Sequence, residues 1–278
     1  MLIISGRINT FIPEIAPIIN THDRDGLLKV AEEQYLFGAD AFDITSSADH
    51  DSELENVCWI VETLQSAFDA RICVDSTRAD VQEAALSLIK DSVPIINSTS
   101  LERARIESLV PLAKKYSAQL VVLLHDERGM PGTTQQRLNS GKTEMPDPLN
   151  DRLALLPRVE ELVTSYGLSR SDVYIDPLIF PLSTDTRHWL SFMETAAEIR
   201  RKYPDYHITG GIDNGGFGLP ASDLIHVTMT DMLFGAGGDT VMVQLTKELS
   251  AHIHAIRLLL NEDRGCKKYT RAYKKGLL

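Results

Sequence analysis

Cysteine is scarce in this sequence, and its few occurrences form no pattern. The three cysteines, Cys58, Cys73 and Cys266, are odd in number and far apart in the chain. Such spacing fits neither a disulfide framework nor a cysteine-based metal site. A reducing compartment is the simplest explanation of this usage, so we expect a cytoplasmic protein.

Long apolar runs are absent as well. No stretch of the chain is long and apolar enough to span a bilayer. Residues 1–7 lack the positively charged N-terminal region of a signal peptide, and their apolar run is too short for one. The sequence therefore predicts no association with a membrane.

Positive charge is in short supply. The chain has 28 Lys and Arg against 39 Asp and Glu, which gives a formal net charge of −11. Binding to nucleic acid needs a basic surface that neutralises phosphates, so nucleic acid is not expected as a partner. The negative charge suits solubility and docking to a basic patch on another protein.

Apolar segments of strand length alternate with segments of helical periodicity along the chain. The predicted strands are at 2–5, 41–44, 72–74, 94–96, 119–124, 173–175, 207–210 and 240–243. The predicted helices that follow them are at 27–37, 53–68, 79–89, 101–116, 152–166, 189–202, 221–234 and 246–261. Eight such units favour one closed (β/α)8 barrel, a TIM barrel, over an open doubly wound sheet. We therefore expect residues 1–278 to form a single barrel domain.

Four parts of the chain depart from this pattern. Residues 6–20, which contain two prolines, are predicted to be irregular. Pro111 is expected to kink or break the fourth helix. Residues 126–150 form a long polar connection, of the kind that closes over a ligand or docks a partner. The basic C-terminal extension 262–278 fits either a short packed helix or a solvated tail.

Polar side chains end several of the predicted strands. Asp43, Asp75, Asn97 and Asp176 each stand at the C-terminal end of an apolar run. In a barrel of this type all strands end at one face, so these side chains should converge there. The alternative is that each one only caps the helix that follows it. Four of them in parallel positions favour a shared binding site.

Two carboxylates and an amide suit a particular kind of ligand. The edge of a 2-amino-4-oxo pyrimidine, as in a pterin or guanine, offers adjacent N–H donors to carboxylates, and its acceptors suit an amide. A divalent metal ion is a weaker alternative, because Asp and Asn could bind one but clustered His or Glu is absent. We expect no metal site.

The turn after the seventh strand, residues 210–220, is rich in glycine. Its glycines allow close approach of the backbone to a ligand, and Asp213 and Asn214 would point into the barrel mouth. Loops after strands seven and eight often bind phosphate, but this turn has no Lys or Arg. A phosphate ligand is therefore less expected here than a neutral heterocycle.

These stretches resemble the pterin-binding methyltransferases, in particular the methyltetrahydrofolate–corrinoid protein methyltransferases. The most specific matches are CVDST at 73–77, INST at 96–99, DERGMP at 126–131, YIDPLIFP at 174–181 and FGLP at 217–220. The resemblance extends from the first strand to the eighth helix, so it covers nearly the whole chain. It implies a (β/α)8 barrel, usually a homodimer, that binds a folate at the barrel mouth.

The resemblance also implies roles for individual residues. Asp75, Asn97 and Asp176 would bind the pterin edge, and Asn214 would contact N5 of the pterin. Two further candidates for pterin binding are Asp43 and Asp126. The implied activity is methyl transfer between N5 of tetrahydrofolate and the cobalt of a corrinoid (cobalamin) carried by a separate protein. The direction of transfer stays open.

The sequence departs from the family on the reacting side. Asp213 stands where the family usually has Ser, and Gly215 and Gly216 replace Val-Ser. Ser222 replaces an Arg and His226 replaces an Asn. Asp213 is therefore a second candidate catalytic residue beside Asn214, as a local acid, although hydrogen bonding within the glycine turn explains it more simply.

Two other functions are alternatives to methyl transfer. A folate-binding or corrinoid-docking protein without catalysis would also fit the altered reacting side. Dihydropteroate synthase is less expected, because that chemistry needs basic residues near strands seven and eight, and residues 211–214 and 239–243 contain none.

Overall fold

The computed structural model describes residues 1–141 and 147–278. Its strands are β1 (Leu2–Asn9), β2 (Ala41–Thr45), β3 (Arg71–Asp75), β4 (Ile95–Ser100), β5 (Gln119–Leu123), β6 (Val173–Asp176), β7 (His207–Ile208) and β8 (Thr240–Val243). All neighbouring strands are parallel, and their order is β7-β6-β5-β4-β3-β2-β1-β8. A parallel bridge between Gly211 and Met242 joins the two ends of this sheet. The predicted (β/α)8 barrel is confirmed.

Helices connect successive strands and cover the outside of the sheet. They are α1 (Ala16–Asn20), α2 (Arg24–Leu36), α3 (Glu53–Gln65), α4 (Ala79–Leu88), α5 (Arg103–Tyr116), α6 (Thr134–Asn139), α7 (Pro148–Leu153), α8 (Leu156–Tyr166), α9 (Arg187–Lys202), α10 (Ser222–Gly235), α11 (Lys247–Leu259) and α12 (Lys267–Lys274). Side chains cap several of them, such as Asp23 on α2 and Thr246 on α11, each accepting from a backbone N–H in the first turn. Among the described residues, no helix combines the length and apolarity needed to cross a membrane.

The hydrophobic core has an inner and an outer part. The barrel interior is filled by side chains that include Ile4, Cys73, Val121, Tyr174 and Met242. Between the sheet and the helices lie two separate clusters, one built on β1, β2, β3 and β8 and the other on β4 to β7. Because strands buried on both faces need apolar side chains on each, they read as continuous apolar runs in the sequence.

The region predicted to be irregular, 6–20, contains more regular structure than expected. Strand β1 continues to Asn9, and α1 follows with Pro17 in its first turn. Proline fits there because the first N–H groups of a helix have no partner within the helix. Of the kink or break predicted at Pro111, the break is wrong, since α5 runs through it and buries Leu109, Val110 and Leu112.

The connection after β5 and the helix after it also differ from prediction. The connection contains α6, while residues 142–146 lie outside the described residues. The helix predicted at 152–166 is two helices, α7 and α8. Pro148 and Pro157 stand in the first turns of these helices, where proline is favoured, and this explains the division.

The C-terminal extension forms a packed helix and not only a solvated tail. Asp263 accepts hydrogen bonds from the backbone N–H groups of Lys268 and Tyr269, at 2.9 and 2.8 Å, and so holds the start of α12. Ala272 in α12 is buried. The helix lies beside Tyr35 and Arg257, with which it lines a shared cavity.

Candidate functional site

The strand register places two of the predicted site residues, Asp75 and Asn97, side by side. Thr45 on β2 is the partner of Asp75 on β3, and Asp75 is the partner of Asn97 on β4. Asp176 ends β6 and is the partner of Leu123 on β5. Asp75 and Asp176 end their strands, as predicted, whereas Asn97 lies within β4, which continues to Ser100 after an irregularity in register. Since Asn97 is the register partner of Asp75, it still lies level with the C-terminal end of β3, and these three residues belong to one rim of the barrel.

Asp43 and Asn97 are in direct contact. The Nδ2 group of Asn97 donates a hydrogen bond of 3.1 Å to Oδ1 of Asp43. The same Nδ2 group lies 3.7 Å from the sulfur of Met242, which reaches it from β8. Asp43 lies within β2 and not at its end, two residues before Thr45. It therefore lies deeper in the barrel than Asp75 and supports the rim from below.

The Asp43 and Asp75 carboxylates are short of positive partners. Burial, together with the charge of Asp75, raises the pKa of Asp43 to about 7. Burial also raises the pKa of Asp75, although a hydrogen bond of 2.9 Å from Thr45 Oγ1 opposes this effect. The charge of Arg105 also lowers the pKa of Asp75, but it does not offset burial. Carboxylates in such an environment gain from a ligand that donates N–H groups, and this is what the edge of a pterin offers.

Asp176 has a comparable environment on the other side of the rim. Only 8% of the residue is exposed, and burial raises its pKa to about 6. The backbone N–H of Leu178 donates to Oδ1 of Asp176 at 2.7 Å. That bond and the positive charge of Arg152 oppose the effect of burial. Its second oxygen, Oδ2, accepts no hydrogen bond from the described residues and can accept one from a ligand.

Arg152 is a supporting residue that the sequence did not reveal. Its side chain is fully buried, and burial lowers the pKa of the guanidinium to about 10. It donates to Ser191 Oγ at 2.5 Å and to the carbonyl of Leu178 at 3.0 Å. Arg152 therefore fixes the backbone that follows Asp176. No local sequence pattern indicates this role, because its partners Leu178 and Ser191 are 26 and 39 residues away in the chain.

Asp126, predicted to bind pterin, has a different environment. Its carboxylate accepts from Arg128 Nη2 at 2.7 Å and from Arg158 Nη1 at 2.5 Å. Burial raises the pKa of Asp126, but the bonds from Arg128 and the charges of both arginines outweigh it and hold the pKa below its ordinary value. Arg158 also donates to the carbonyl of Leu101 at 2.7 Å. This geometry favours a structural role, in which Asp126 ties the loop after β5 to α8.

Asn214 and Asp213 occupy a short 3-10 helix, Ile212–Asn214, directly after β7. Asn214 is exposed at the barrel mouth, and none of the described residues donates a hydrogen bond to its side chain. The expectation that Asp213 bonds within the glycine turn is wrong. Its Oδ2 accepts from the backbone N–H of Gln244 at 2.9 Å, and Oδ1 lies 3.4 Å from Nδ1 of His226.

These contacts hold Asp213 in a partly buried position, with 31% of its side chain exposed. Burial raises the pKa of Asp213, while the nearby His226 and the Gln244 backbone lower it. Neither His226 nor Gln244 was predicted as a site residue. The only available signal was that His226 stands where the resembling family has Asn.

Within residues 1–141 and 147–278, no group of three or more His, Cys, Asp or Glu side chains is arranged to hold a metal ion. The polar residues of the rim are instead organised as hydrogen-bond acceptors.

Comparison with known proteins identifies the relatives of this chain. The family model described as "Pterin binding enzyme" matches residues 17–244. A methylcorrinoid:tetrahydrofolate methyltransferase of Eubacterium limosum is 30% identical over 279 residues, which covers 99% of this chain and 97% of that protein. Methionine synthase of Mycobacterium tuberculosis is 24% identical over 238 residues, 82% of this chain but 19% of that larger protein.

Solved structures share the fold at lower identity. The 7,8-dihydropteroate synthase of Vibrio fischeri ES114 superposes with a TM-score of 0.70 at 17% identity, covering 94% of each chain. A dihydropteroate synthase of Coxiella burnetii in complex with pteroic acid gives a TM-score of 0.68 at 14% identity over the same share. Since the family model spans most of the sequence, this chain belongs to the pterin-binding enzyme family.

Proposed function

We propose that this protein transfers a methyl group between N5 of tetrahydrofolate and the cobalt of a corrinoid carried by a separate protein. The observation that carries the proposal is the rim formed by Asp75 and Asp176, at the ends of β3 and β6, and by Asn97 of β4, the register partner of Asp75. Membership of the pterin-binding family and the resemblance to the Eubacterium limosum methyltransferase support the same conclusion.

The rim suits the donor edge of a pterin. Asp176 is buried and Asp75 partly buried, and the pKa values of both are raised, so donated N–H groups would stabilise their charged forms. Asn97 is oriented by its bond to Asp43, which leaves its carbonyl oxygen to accept from the ligand. We assign pterin binding to these three side chains, with Asp43 as their support.

Asn214 is the candidate for contact with N5. It ends the 3-10 helix in the turn that follows β7. Strand β7 is the neighbour of β6, which Asp176 ends. Its side-chain amide can donate or accept, so it could position N5 whether the nitrogen carries a proton or a methyl group. Proximity and orientation of the two substrates would then supply much of the rate.

We propose that transfer runs from the methylated corrinoid to tetrahydrofolate. This is the direction in the name of the Eubacterium limosum relative, which matches this chain over nearly all of its length. The partner is then a corrinoid-binding protein that presents its methyl group at the barrel mouth. A cytoplasmic homodimer, as the resembling family suggests, completes the proposal.

The first experiment is a calorimetric titration of the purified protein with tetrahydrofolate. Binding in the micromolar range is expected, and absence of binding at millimolar ligand would contradict a pterin site. The second is a turnover assay with tetrahydrofolate and a methylated corrinoid protein. Formation of methyltetrahydrofolate supports the enzyme, whereas tight folate binding without transfer to or from any corrinoid partner would favour a folate-binding module.

A further inference from the structure

A cavity of about 560 Å³ lies beside the glycine turn at the barrel mouth. It is lined by Arg7 of β1, by the segments that follow β7 and β8, by parts of α2 and α10 and by the start of α11. Its polar and charged lining residues include Arg7, Glu33, Asp213, Asp223, His226, Gln244 and Lys247. Asp213, the sequence neighbour of Asn214, lines the cavity, whereas Asp75, Asn97 and Asp176 do not.

His226 and Asp213 form a pair in the wall of this cavity. Nδ1 of His226 lies 3.4 Å from Oδ1 of Asp213, and the other Asp213 oxygen is held by the Gln244 backbone. Nε2 of His226 and Oδ1 of Asp213 are buried and have no hydrogen-bond partner among the described residues. Buried polar atoms in this state are costly, so unpaired ones call for an explanation.

The glycine turn is shaped around the imidazole ring. A Cβ atom at Gly216 would lie 2.3 Å from Nε2 of His226 and 2.9 Å from Cβ of Ser222. Any side chain at this position would therefore displace the ring or the turn. Gly216, Asp213 and Asn214 belong to one short segment, so the position of the ring is coupled to that of Asn214.

The charges around the ring are mixed. Asp213 is the nearest, at salt-bridge distance, and Asp223 stands in the first turn of the helix that carries His226. Glu33 comes from α2, Lys247 from α11 and Arg7 from β1. The Arg7 guanidinium donates hydrogen bonds to the side chains of Gln244 and Glu14. Asp213 is thus the group best placed to stabilise a proton on the imidazole.

Methylation of tetrahydrofolate releases a proton. The N5–carbon bond forms as the cobalt–carbon bond breaks, the electron pair of that bond stays on cobalt, and the proton of N5 must leave. We propose that His226, paired with Asp213, receives this proton and that the adjoining cavity conducts it away from the pterin. The inference rests on the proposed function, and in particular on the proposed direction. Imidazole suits the step because it takes up and releases protons near neutral pH.

The test compares His226→Asn with a matched control, His252→Asn. His252 also pairs with an aspartate, with Nδ1 2.8 Å from Oδ2 of Asp231, but on the outer helices. Single-turnover transfer from a methylated corrinoid protein to saturating tetrahydrofolate is measured from pH 5.5 to 8.5. We expect His226→Asn to be about 100-fold slower at pH 7, with folate affinity retained, a flattened pH profile and partial rescue by added imidazole. The control should match the wild type.

A second measurement needs no corrinoid. Nuclear magnetic resonance of the histidine rings follows the titration of His226 with and without tetrahydrofolate. A shift of its midpoint on folate binding supports the proposal, and an unchanged midpoint contradicts it. Gly216→Ala gives an independent variant, which should disturb the His226 signals and slow transfer even if His226→Asn folds poorly.

The outcomes separate the two proposals. Wild-type protein that binds no folate or transfers no methyl group overturns the proposed function itself. Wild-type protein that transfers methyl groups, together with a His226→Asn variant of unchanged rate and pH profile, overturns only the role of His226.

Discussion

The side-chain amide of Asn97 is oriented by Asp43. Its Nδ2 group donates to Oδ1 of Asp43 at 3.1 Å, while its Oδ1 atom meets no donor among the described residues. An amide can present either a donor or an acceptor to a ligand, and this contact selects the acceptor. The buried Asp43 therefore determines what the rim of the barrel offers to a substrate.

Replacement of Asp75 should weaken folate binding. In Asp75→Ala the ligand loses a buried acceptor, and we expect tetrahydrofolate affinity to fall by about 1–3 kcal/mol. Calorimetric titration measures the effect. Asp69→Ala is the control, because Asp69 is exposed and precedes the same strand at its opposite end. Equal affinity in both variants would contradict the assignment of Asp75.

Asp43 should make stability depend on pH. Its pKa is raised from 3.8 to about 7 in the folded protein, so the native state binds the proton more tightly than the unfolded state. Stability contributed by the protonated group is fully present below about pH 4 and is lost as the pH rises to about 7.

Asp43→Asn removes this titration while keeping an acceptor for Asn97. We expect no gain in unfolding free energy at pH 4, and a gain that grows to roughly 2–4 kcal/mol at pH 8. Urea unfolding of the variant and the wild type at several pH values gives the difference. A gain that is constant across this range would contradict the raised pKa.

Removal of Arg152 should destabilise the protein. Arg152→Met leaves the Asp176 carboxylate without its nearby cation and Ser191 and the Leu178 carbonyl without their donor. We expect a loss of about 3–5 kcal/mol in unfolding free energy. Arg152→Lys should recover little of it, because an ammonium cannot donate in the same forked geometry. The exposed Arg201 provides a control in Arg201→Met.

Asp126→Ala distinguishes a structural role from pterin binding. The variant removes the acceptor of Arg128 and Arg158, so we expect the unfolding free energy to fall by about 1–3 kcal/mol. Tetrahydrofolate affinity should stay within about threefold of the wild type. A large loss of affinity with unchanged stability would instead restore Asp126 to the pterin site, as the sequence predicts.

The barrel and its rim could be predicted from the sequence because both follow from local patterns. Apolar runs identify the strands, and parallel strands must deliver Asp75, Asn97 and Asp176 to one face. The supports of the rim could not be predicted. Arg152 acts on Leu178 and Ser191, which are 26 and 39 residues away, and no local pattern encodes such contacts.

The same limit explains why two local features differ from their prediction. The glycine turn predicts a hydrogen bond within itself for Asp213, but the hydrogen bond that Asp213 accepts comes from the Gln244 backbone, 31 residues away. Pro111 predicts a kink or break in α5, yet the helix continues, because the packing of Leu109 and Leu112 on either side outweighs the loss of one backbone hydrogen bond.

The two outer clusters of the core divide the barrel into halves that pack separately. Asp75 belongs to a strand of the first half, whereas Asn97 and Asp176 belong to strands of the second. A pterin bound by all three side chains would therefore link the two halves across the mouth of the barrel. We expect the protein with bound pterin to be more rigid at its mouth than the protein without it.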